Sequence, residues 1–374
     1  MHGIKVNELT TGTRALKAAS TSIIGLVATA GAAVGAPTVA LDAAFPVGAL
    51  TLITNIRAAI ETAGTTGTLK AALEAIADQG SPVVVVSRVA VDVDPEDQAV
   101  LVEAGVEALL GAQSQLGVTP RILGAPALDV QAVATALAAT ARKLRGMAYA
   151  AAIGADVAAA TDYRENFGAR ELMLLWPATD AAFAGDAVAR ALGLRSRIDT
   201  DMGWHKTLSN VAVDGITGLD VPIFFDINSD DNDAALLNAG DVTTIIRQDG
   251  FRFWGNRTCS DEPLFAFESA VRTAQVLQDE MASGLLWAID KPLTAVLIRD
   301  IIETINANFR RLIGQGRLIG AKAWYDSALN TEADLAAGKL VIDYDFTPCS
   351  PLESLSLNQR ITDRYYASFA DLVG

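Results

Sequence analysis

Pro82-Val83-Val84-Val85-Val86-Ser87-Arg88 is a β-branched run closed by a serine and a charge. It offers no alternating polar face to water, so it reads as a strand buried on both sides, the setting of strands in a parallel sheet. Working outward, residues 69–78 read as a helix leading into it. Further strands are expected at residues 121–123, 147–153 and 171–176, with a helix at residues 130–144. Upstream, Ile23-Ile24-Gly25-Leu26-Val27 predicts a buried strand near residues 21–29 followed by a loop. Strand and helix alternating in this way predict an α/β half, a mostly parallel sheet with helices on its faces.

The chain has 374 residues, more than one hydrophobic core usually organises, so two domains are expected. Alanine and glycine dominate the first half, and aromatic and large charged residues gather after Arg164. The second half is expected to begin near Ala239, with paired strands at residues 242–246 and 251–254. Phe267, Val271, Ala274, Leu277 and Met281 recur at helical spacing, as do Leu297, Ile301, Ile305, Phe309 and Leu312. Leu340, Ile342, Tyr344 and Phe346 alternate with Val341, Asp343 and Asp345, which predicts a strand with one buried face. The predicted class is therefore α/β plus α+β.

Both chain ends carry a lone strand pattern. Ile4 and Val6 alternate with Lys5 and Asn7, and Leu355, Leu357 and Ile361 alternate with polar residues after Pro348 and Pro351. A single strand is not stable in water and needs a sheet to join. On the residues alone, that sheet belongs equally well to the same chain or to another molecule.

Charge and composition exclude several classes. A net charge of −15 and an isoelectric point near 4.6 disfavour nucleic acid as a partner, because phosphate binding needs clustered Lys and Arg. Cys259 and Cys349, far apart and without close Cys or His companions, read as reduced thiols. Residues 18–41 contain no charge, yet Ala, Gly, Ser and Thr fill most of the segment and Pro37 interrupts it, so neither a membrane span nor a signal peptide is expected. The protein is expected to fold in the cytoplasm of the cell that makes it.

Catalytic and ligand chemistry finds little support. His205 and Ser209 are the residues a cytosolic α/β hydrolase would use, but no G-x-S-x-G elbow occurs, and packing is the expected role of His205. The acidic stretch at residues 226–233 starts like a calcium loop and then departs from it: Asp231 replaces the turn glycine and Leu237 the bidentate glutamate. Gly64-Thr65-Thr66-Gly67-Thr68-Leu69-Lys70 lacks phosphate-loop spacing and reads as a helix-capping turn. No cofactor and no metal are expected. Between Arg299 and Lys322, five basic residues (Arg299, Arg310, Arg311, Arg317, Lys322) face two acidic ones (Asp300, Glu303). That local excess reads either as a solvated helix end or as a surface for an acidic partner.

One more run stands out, Asp249-Gly250-Phe251-Arg252-Phe253-Trp254-Gly255-Asn256-Arg257-Thr258, in a chain with 6% aromatic residues. Alternation places Phe251 and Phe253 on one face and Arg252 and Trp254 on the other, before a Gly255-Asn256 turn. This decamer, with Gly203-Trp204-His205-Lys206-Thr207-Leu208-Ser209-Asn210 and Arg272-Thr273-Ala274, resembles the signature of contractile tail sheath proteins, above all those of temperate myophages and of R-type pyocins. Gly67-Thr68-Leu69 to Gln79, Arg121-Ile122-Leu123-Gly124-Ala125-Pro126, Arg190-Ala191-Leu192-Gly193-Leu194-Arg195, Asp290-Lys291-Pro292 and Gln359-Arg360-Ile361-Thr362-Asp363 resemble the family in the same order. The region from Asp92 to Gln115 is short beside longer members.

The resemblance implies a division into an N-terminal arm and linker (residues 1–20), a subtilisin-like α/β outer domain (21–238), a smaller α+β inner domain facing a tube (239–350) and a C-terminal arm (351–374). It implies a structural rather than enzymatic role: a subunit that polymerises as a metastable helical sheath around a tail tube and contracts to drive the tube through a cell envelope. A headless contractile injection system is the alternative within the same class. The arms, through Ile4, Val6, Leu355, Leu357 and Ile361, would exchange strands with neighbouring subunits. Arg310, Arg311, Arg317 and Lys322 would face the tube. Implied partners are further copies of the chain, the tail tube protein, and baseplate and tail terminator proteins, with no nucleic acid and no stable membrane insertion. The implied location is the virion tail.

Overall fold

The computed structural model of the chain describes residues 20–32 and 37–368. Within them one large sheet forms from β1 (Ile24–Gly31), β2 (Leu50–Ile53), β3 (Thr66–Gly67), β4 (Val84–Val89), β5 (Ile122–Gly124), β6 (Met147–Ala151), β7 (Leu172–Leu175), β8 (Val242–Arg247) and β9 (Phe251–Trp254). The strand order is β2-β4-β1-β5-β6-β7-β8-β9, with β3 paired to β1. From β4 through β8 every pairing is parallel, and β2, β3 and β9 join antiparallel.

The valine run explains why this sheet has helices on both faces. All six residues of β4 are buried. Val84 and Val86 enter one apolar cluster with the helices Leu69–Ala77 and Asp186–Asp201. Val85 and Val89 enter the other, with the helices Pro95–Ala108 and Gln131–Leu144. Successive side chains point to opposite faces, so an unbroken β-branched run can feed both clusters.

The hairpin β8–β9, expected to open a second domain, instead completes this sheet. β8 pairs parallel with β7 at Leu174↔Val242 and Leu175↔Thr243, so the sheet runs past the boundary expected at residue 239. Phe253, fully buried, belongs to the apolar cluster that holds Val84 and Val86 of β4. Local alternation identifies a strand but carries no information about which sheet it joins.

A second layer follows. The helices Glu268–Gly284 and Ala295–Gly314 pack with an antiparallel pair, β10 (Leu318–Trp324) and β11 (Asp343–Pro348), around Leu277, Ile301, Ile305, Phe309 and Leu312. β11 starts at Asp343 rather than near Leu340. The main chain of the preceding Val341 is held by the Asn330 amide, which donates to its carbonyl at 2.9 Å and accepts from its N–H at 2.8 Å.

One loop departs from simple expectation. Thr68 does not cap the helix after it; its hydroxyl accepts from Thr29 N–H at 3.1 Å, docking the turn on β1. Gly67 has φ +86°, and a Cβ there would lie 2.6 Å from the Thr29 carbonyl, so the close approach requires glycine. In the acidic loop, Asn232 caps the helix Asp233–Ala239, and Asp226 and Asp233 accept from Asn228 and Phe224 N–H. Among the described residues no three metal-ligating side chains cluster.

Asp129 is buried and accepts the Ala151 N–H at 2.6 Å. Burial pushes its carboxyl up to about 6, against the smaller opposing effect of that hydrogen bond. A carboxyl raised on folding destabilises the fold as pH climbs from the unfolded value through the folded one. The Asp129→Asn variant should therefore gain about 3 kcal/mol over the parent at neutral pH, with little difference at about pH 4, measured by denaturant unfolding across that range.

Candidate functional site

Four of the segments carrying the family resemblance, residues 190–195, 203–210, 249–258 and 272–274, lie far apart in sequence and meet at one buried junction. Arg195 and Asp199 stand one turn apart on the helix Asp186–Asp201, and Glu268 and Arg272 one turn apart on the helix Glu268–Gly284. Arg195 pairs with Asp199 at 2.7 Å and with Glu268 at 3.1 Å, while Arg272 pairs with Asp199. Side chains of Arg195, Asp199 and Glu268 have no solvent exposure. Two positive and two negative charges thus balance inside the protein, the condition for tolerating ions in a low-dielectric site.

Neutral groups complete the network. Tyr149 of β6 donates its hydroxyl to Glu268, and Leu208 N–H donates to the same carboxylate at 3.1 Å. Arg195 also donates to the Lys206 carbonyl at 2.7 Å, and Arg272 to the Thr21 carbonyl at 3.3 Å. Burial alone would raise the Glu268 carboxyl, but the Arg195 and Arg272 charges hold it below its ordinary range. Burial, reinforced by the Glu268 charge, keeps the Tyr149 phenol protonated well past its usual value.

The decamer closes the junction from the sheet side. Asp249 and Gly250 turn the β8–β9 hairpin with φ of 50° and 94°. The outer edge of β9 is covered by residues 210–213, through Asn210 N–H to Phe253 (2.8 Å) and Val213 N–H to Phe251 (2.9 Å). Gly255 donates to Ser209 Oγ at 3.1 Å, and the Asn256 carbonyl accepts Glu268 N–H at 3.0 Å, placing the decamer at the head of the helix that supplies Glu268 and Arg272. A second knot lies beside it: Arg190 binds Asp186 and Asp78 at 2.7 and 2.8 Å, and the Gln79 amide binds the Asp214 main chain on both sides.

His205 and Ser209 are not paired as base and nucleophile among the described residues. Ser209 Oγ is engaged by Gly255, His205 packs edge-on to Trp204, and no hydrogen bond joins His205 to Ser209 among the described residues. Burial, followed by the Arg317 and Arg195 charges, depresses the imidazole below its ordinary pKa.

The predicted basic surface divides. Arg311 is tied inward to Asn308 (2.6 Å) and Glu280 (3.6 Å), and Arg317 lies 5.8 Å over the Trp204 ring. Arg310 is exposed and pairs with the exposed Glu303 at 3.5 Å, and Lys322 is exposed on β10. Of the arm residues, Ile4 and Val6 lie outside the described residues. Leu355, Leu357 and Ile361 are 70%, 83% and 100% exposed. Where a half-buried strand was expected, residues 349–363 form no strand within the chain. Among the described residues their alternating pattern has no sheet to bury against. The root of this segment, up to Glu353, borders a cavity of about 470 Å³ together with His205, Lys206, Asn238, Trp254 and Asn256.

Comparison with known proteins places this architecture among sheath proteins. The chain matches the phage tail sheath protein central domain over residues 102–259, the phage tail sheath C-terminal domain over 260–362 and the tail sheath protein Gp18 domain III N-terminal region over 21–89. The junction between the first two falls just after β9, where the large sheet ends. The tail sheath protein of Escherichia phage P2 is 48% identical, over 100% of this chain and 98% of its own, and the major tail sheath protein of Serratia phage KSP20 is 41% identical over the same shares. Among solved structures, the contracted helical sheath of the anti-feeding prophage superposes with a TM-score of 0.73 at 17% identity, covering 97% of this chain and 99% of that one. The contracted sheath complex of an extracellular contractile injection system, PVC, gives 0.70 at 14% identity, covering 98% of each. The chain belongs to the phage tail sheath family.

The buried network was not foreseen from the sequence. Removing one member of a buried, balanced set leaves another charge unpaired. Glu268→Gln should cost about 3–5 kcal/mol of stability. Because the Glu268 carboxyl is held low in the fold, its contribution is present above the ordinary carboxylate range and lost as pH falls through the folded value. The variant's stability should therefore fall less steeply than the parent's on acidification, as read by denaturant titrations at a series of pH values.

Proposed function

We propose that this chain is the sheath subunit of a contractile phage tail. Copies polymerise around a tail tube in an extended, metastable lattice and rearrange to a shorter, wider one that drives the tube through a target envelope. The observation that carries this reading is near full-length kinship, 48% identity over 100% of the chain, to a phage tail sheath protein. Energy is stored as the difference between two subunit packings and held by a kinetic barrier until release, with no nucleotide consumed. Head-to-tail contacts that do not close into a ring produce such open helical polymers. A headless contractile particle would use the same subunit, and capsid and portal genes beside this one distinguish the two.

In this reading the parallel sheet with its two helical faces is the subtilisin-like outer body, and the layer built on residues 268–348 faces the tube. The assembled protein resides in the virion tail after folding in the host cytoplasm. Its partners are other copies, the tube protein, and baseplate and terminator proteins. Its role is mechanical, not enzymatic.

The arms link subunits by strand exchange. Leu355, Leu357 and Ile361 favour this, since their apolar face is bare on the isolated chain. The pair β10–β11 is a fitting receptor, because two strands alone are marginal and gain from a third. On its β10 side Asn306 already holds both main-chain groups of Ala323, at 2.8 and 3.0 Å, which leaves β11 the freer edge. Main-chain bonds made by strands on tethers persist while rigid bodies rotate past one another.

Two experiments test this. Truncation after Pro351, or deletion of residues 1–13, should leave a folded protein, by circular dichroism, that forms no striated tubes in electron micrographs; tubes of normal length from either would reject strand exchange. Arg310→Glu with Lys322→Glu should weaken assembly on tubes at low salt, where charge attraction is least screened, and unchanged assembly would remove the proposed tube-facing role.

A further inference from the structure

The decamer's Arg257 has a task that strand pairing does not explain. Its guanidinium grips Glu353 at two points, Nε to Oε1 at 3.0 Å and Nη2 to Oε2 at 2.8 Å. The same guanidinium lies 5.3 Å over the Phe267 ring and 3.9 Å from Asp241. Two-point pairing to a planar guanidinium fixes direction as well as distance.

Glu353 sits where the chain changes character. Before it, β11 is paired through Pro348, Cys349 donates its thiol to the Gly316 carbonyl at 3.4 Å, and Pro351 is partly covered between the exposed Ser350 and Leu352. After it, residues 354–366 are all exposed. The pair also crosses between the two layers. The arm root leaves the β10–β11 layer, and Arg257 belongs to the loop that closes the large sheet and meets the head of the Glu268–Gly284 helix.

We propose that Arg257 is a positioning residue for the C-terminal arm: its pair with Glu353 sets the point and direction at which the arm leaves the body, so that the arm reaches its neighbour already aimed. This rests on the strand-exchange reading above. The arm then departs from the body at residue 354, three residues beyond Pro351. A pull on the arm in a polymer passes through Arg257 into the Asn256–Glu268 contact, and from there into the buried charge junction.

The mechanism is a reduction of the orientations an unbound arm must lose on docking. The two side chains are 39% and 35% exposed, so the pair is sensitive to salt. The test measures the critical concentration for polymer formation by the full chain in low salt. Glu353→Gln and Arg257→Gln should each raise it about fivefold, equal to about 1 kcal/mol, and the double variant should be no worse than either single one. High salt should shrink the difference, and the melting temperature of the Glu353→Gln subunit should match the parent. Glu353→Gln carries the test if the Arg257 variant folds poorly. Parental critical concentrations in Glu353→Gln, or additive effects in the double variant, would overturn the proposal. A chain truncated after Glu353 separates the two levels: if it fails to polymerise while Glu353→Gln behaves as the parent, only the clamp falls; if it polymerises normally, strand exchange falls as well.

Discussion

Charge balance inside the protein is the constraint on which the rest of the architecture depends. Arg195, Asp199, Glu268 and Arg272 are shut away from water, and each finds its opposite among the others. Neither helix can slide against its partner without leaving an ion unpaired at low dielectric, a far larger penalty than an equivalent shift between apolar faces. The network therefore sets one docking of the second layer on the sheet. It also reaches Tyr149 in β6, Leu208 in the covering loop and Thr21 just ahead of β1. A subunit that must survive a large rearrangement of its neighbours benefits from a body that has a single internal packing.

Against that rigid body, the C-terminal segment is unlike anything else in the described chain. Its apolar residues alternate as in a strand, yet among the described residues it has no strand partner, and its root is held by Arg257 to Glu353. The division of labour is physical. Buried ions and close-packed apolar clusters make the body resist deformation, and an extended tether with unused main-chain groups suits a contact that must stay made while bodies rotate. Sheath contraction, in this account, changes relations between bodies and leaves their interiors alone.

Much of the body was legible in the sequence because burial leaves a periodic trace. The valine run of β4, the strands after it and the stripe from Leu297 to Leu312 all stand as expected, since a two-sided sheet and an amphipathic helix each select residues at a fixed repeat. Sheet membership was not legible: β8 and β9 alternate as any hairpin would, and only tertiary contact with β7 reveals that they finish the first sheet. The charge junction was hidden for a different reason. Arg195 with Asp199 and Glu268 with Arg272 are spaced like ordinary solvated pairs on a helix surface, and nothing local says that the helix from Glu268 is covered on nearly every side over its first turns. Arg311, placed with the outward basic residues by its sequence neighbours, turns to Glu280 because its own side of the helix faces the adjacent one. The family resemblance did point to the right segments, Arg190 to Arg195, Gly203 to Asn210, the decamer and Arg272, but only their convergence in three dimensions explains why those segments belong together.

The central claim, a fixed body linked to its neighbours by a strand on a tether, is tested most directly by a cryo-electron microscopy map of the assembled polymer at side-chain resolution. The account predicts residues 354–363 extended along β11 of an adjacent subunit, Glu353 still on Arg257, and the Arg195–Glu268 junction unchanged. A map with that segment folded onto its own subunit would contradict it.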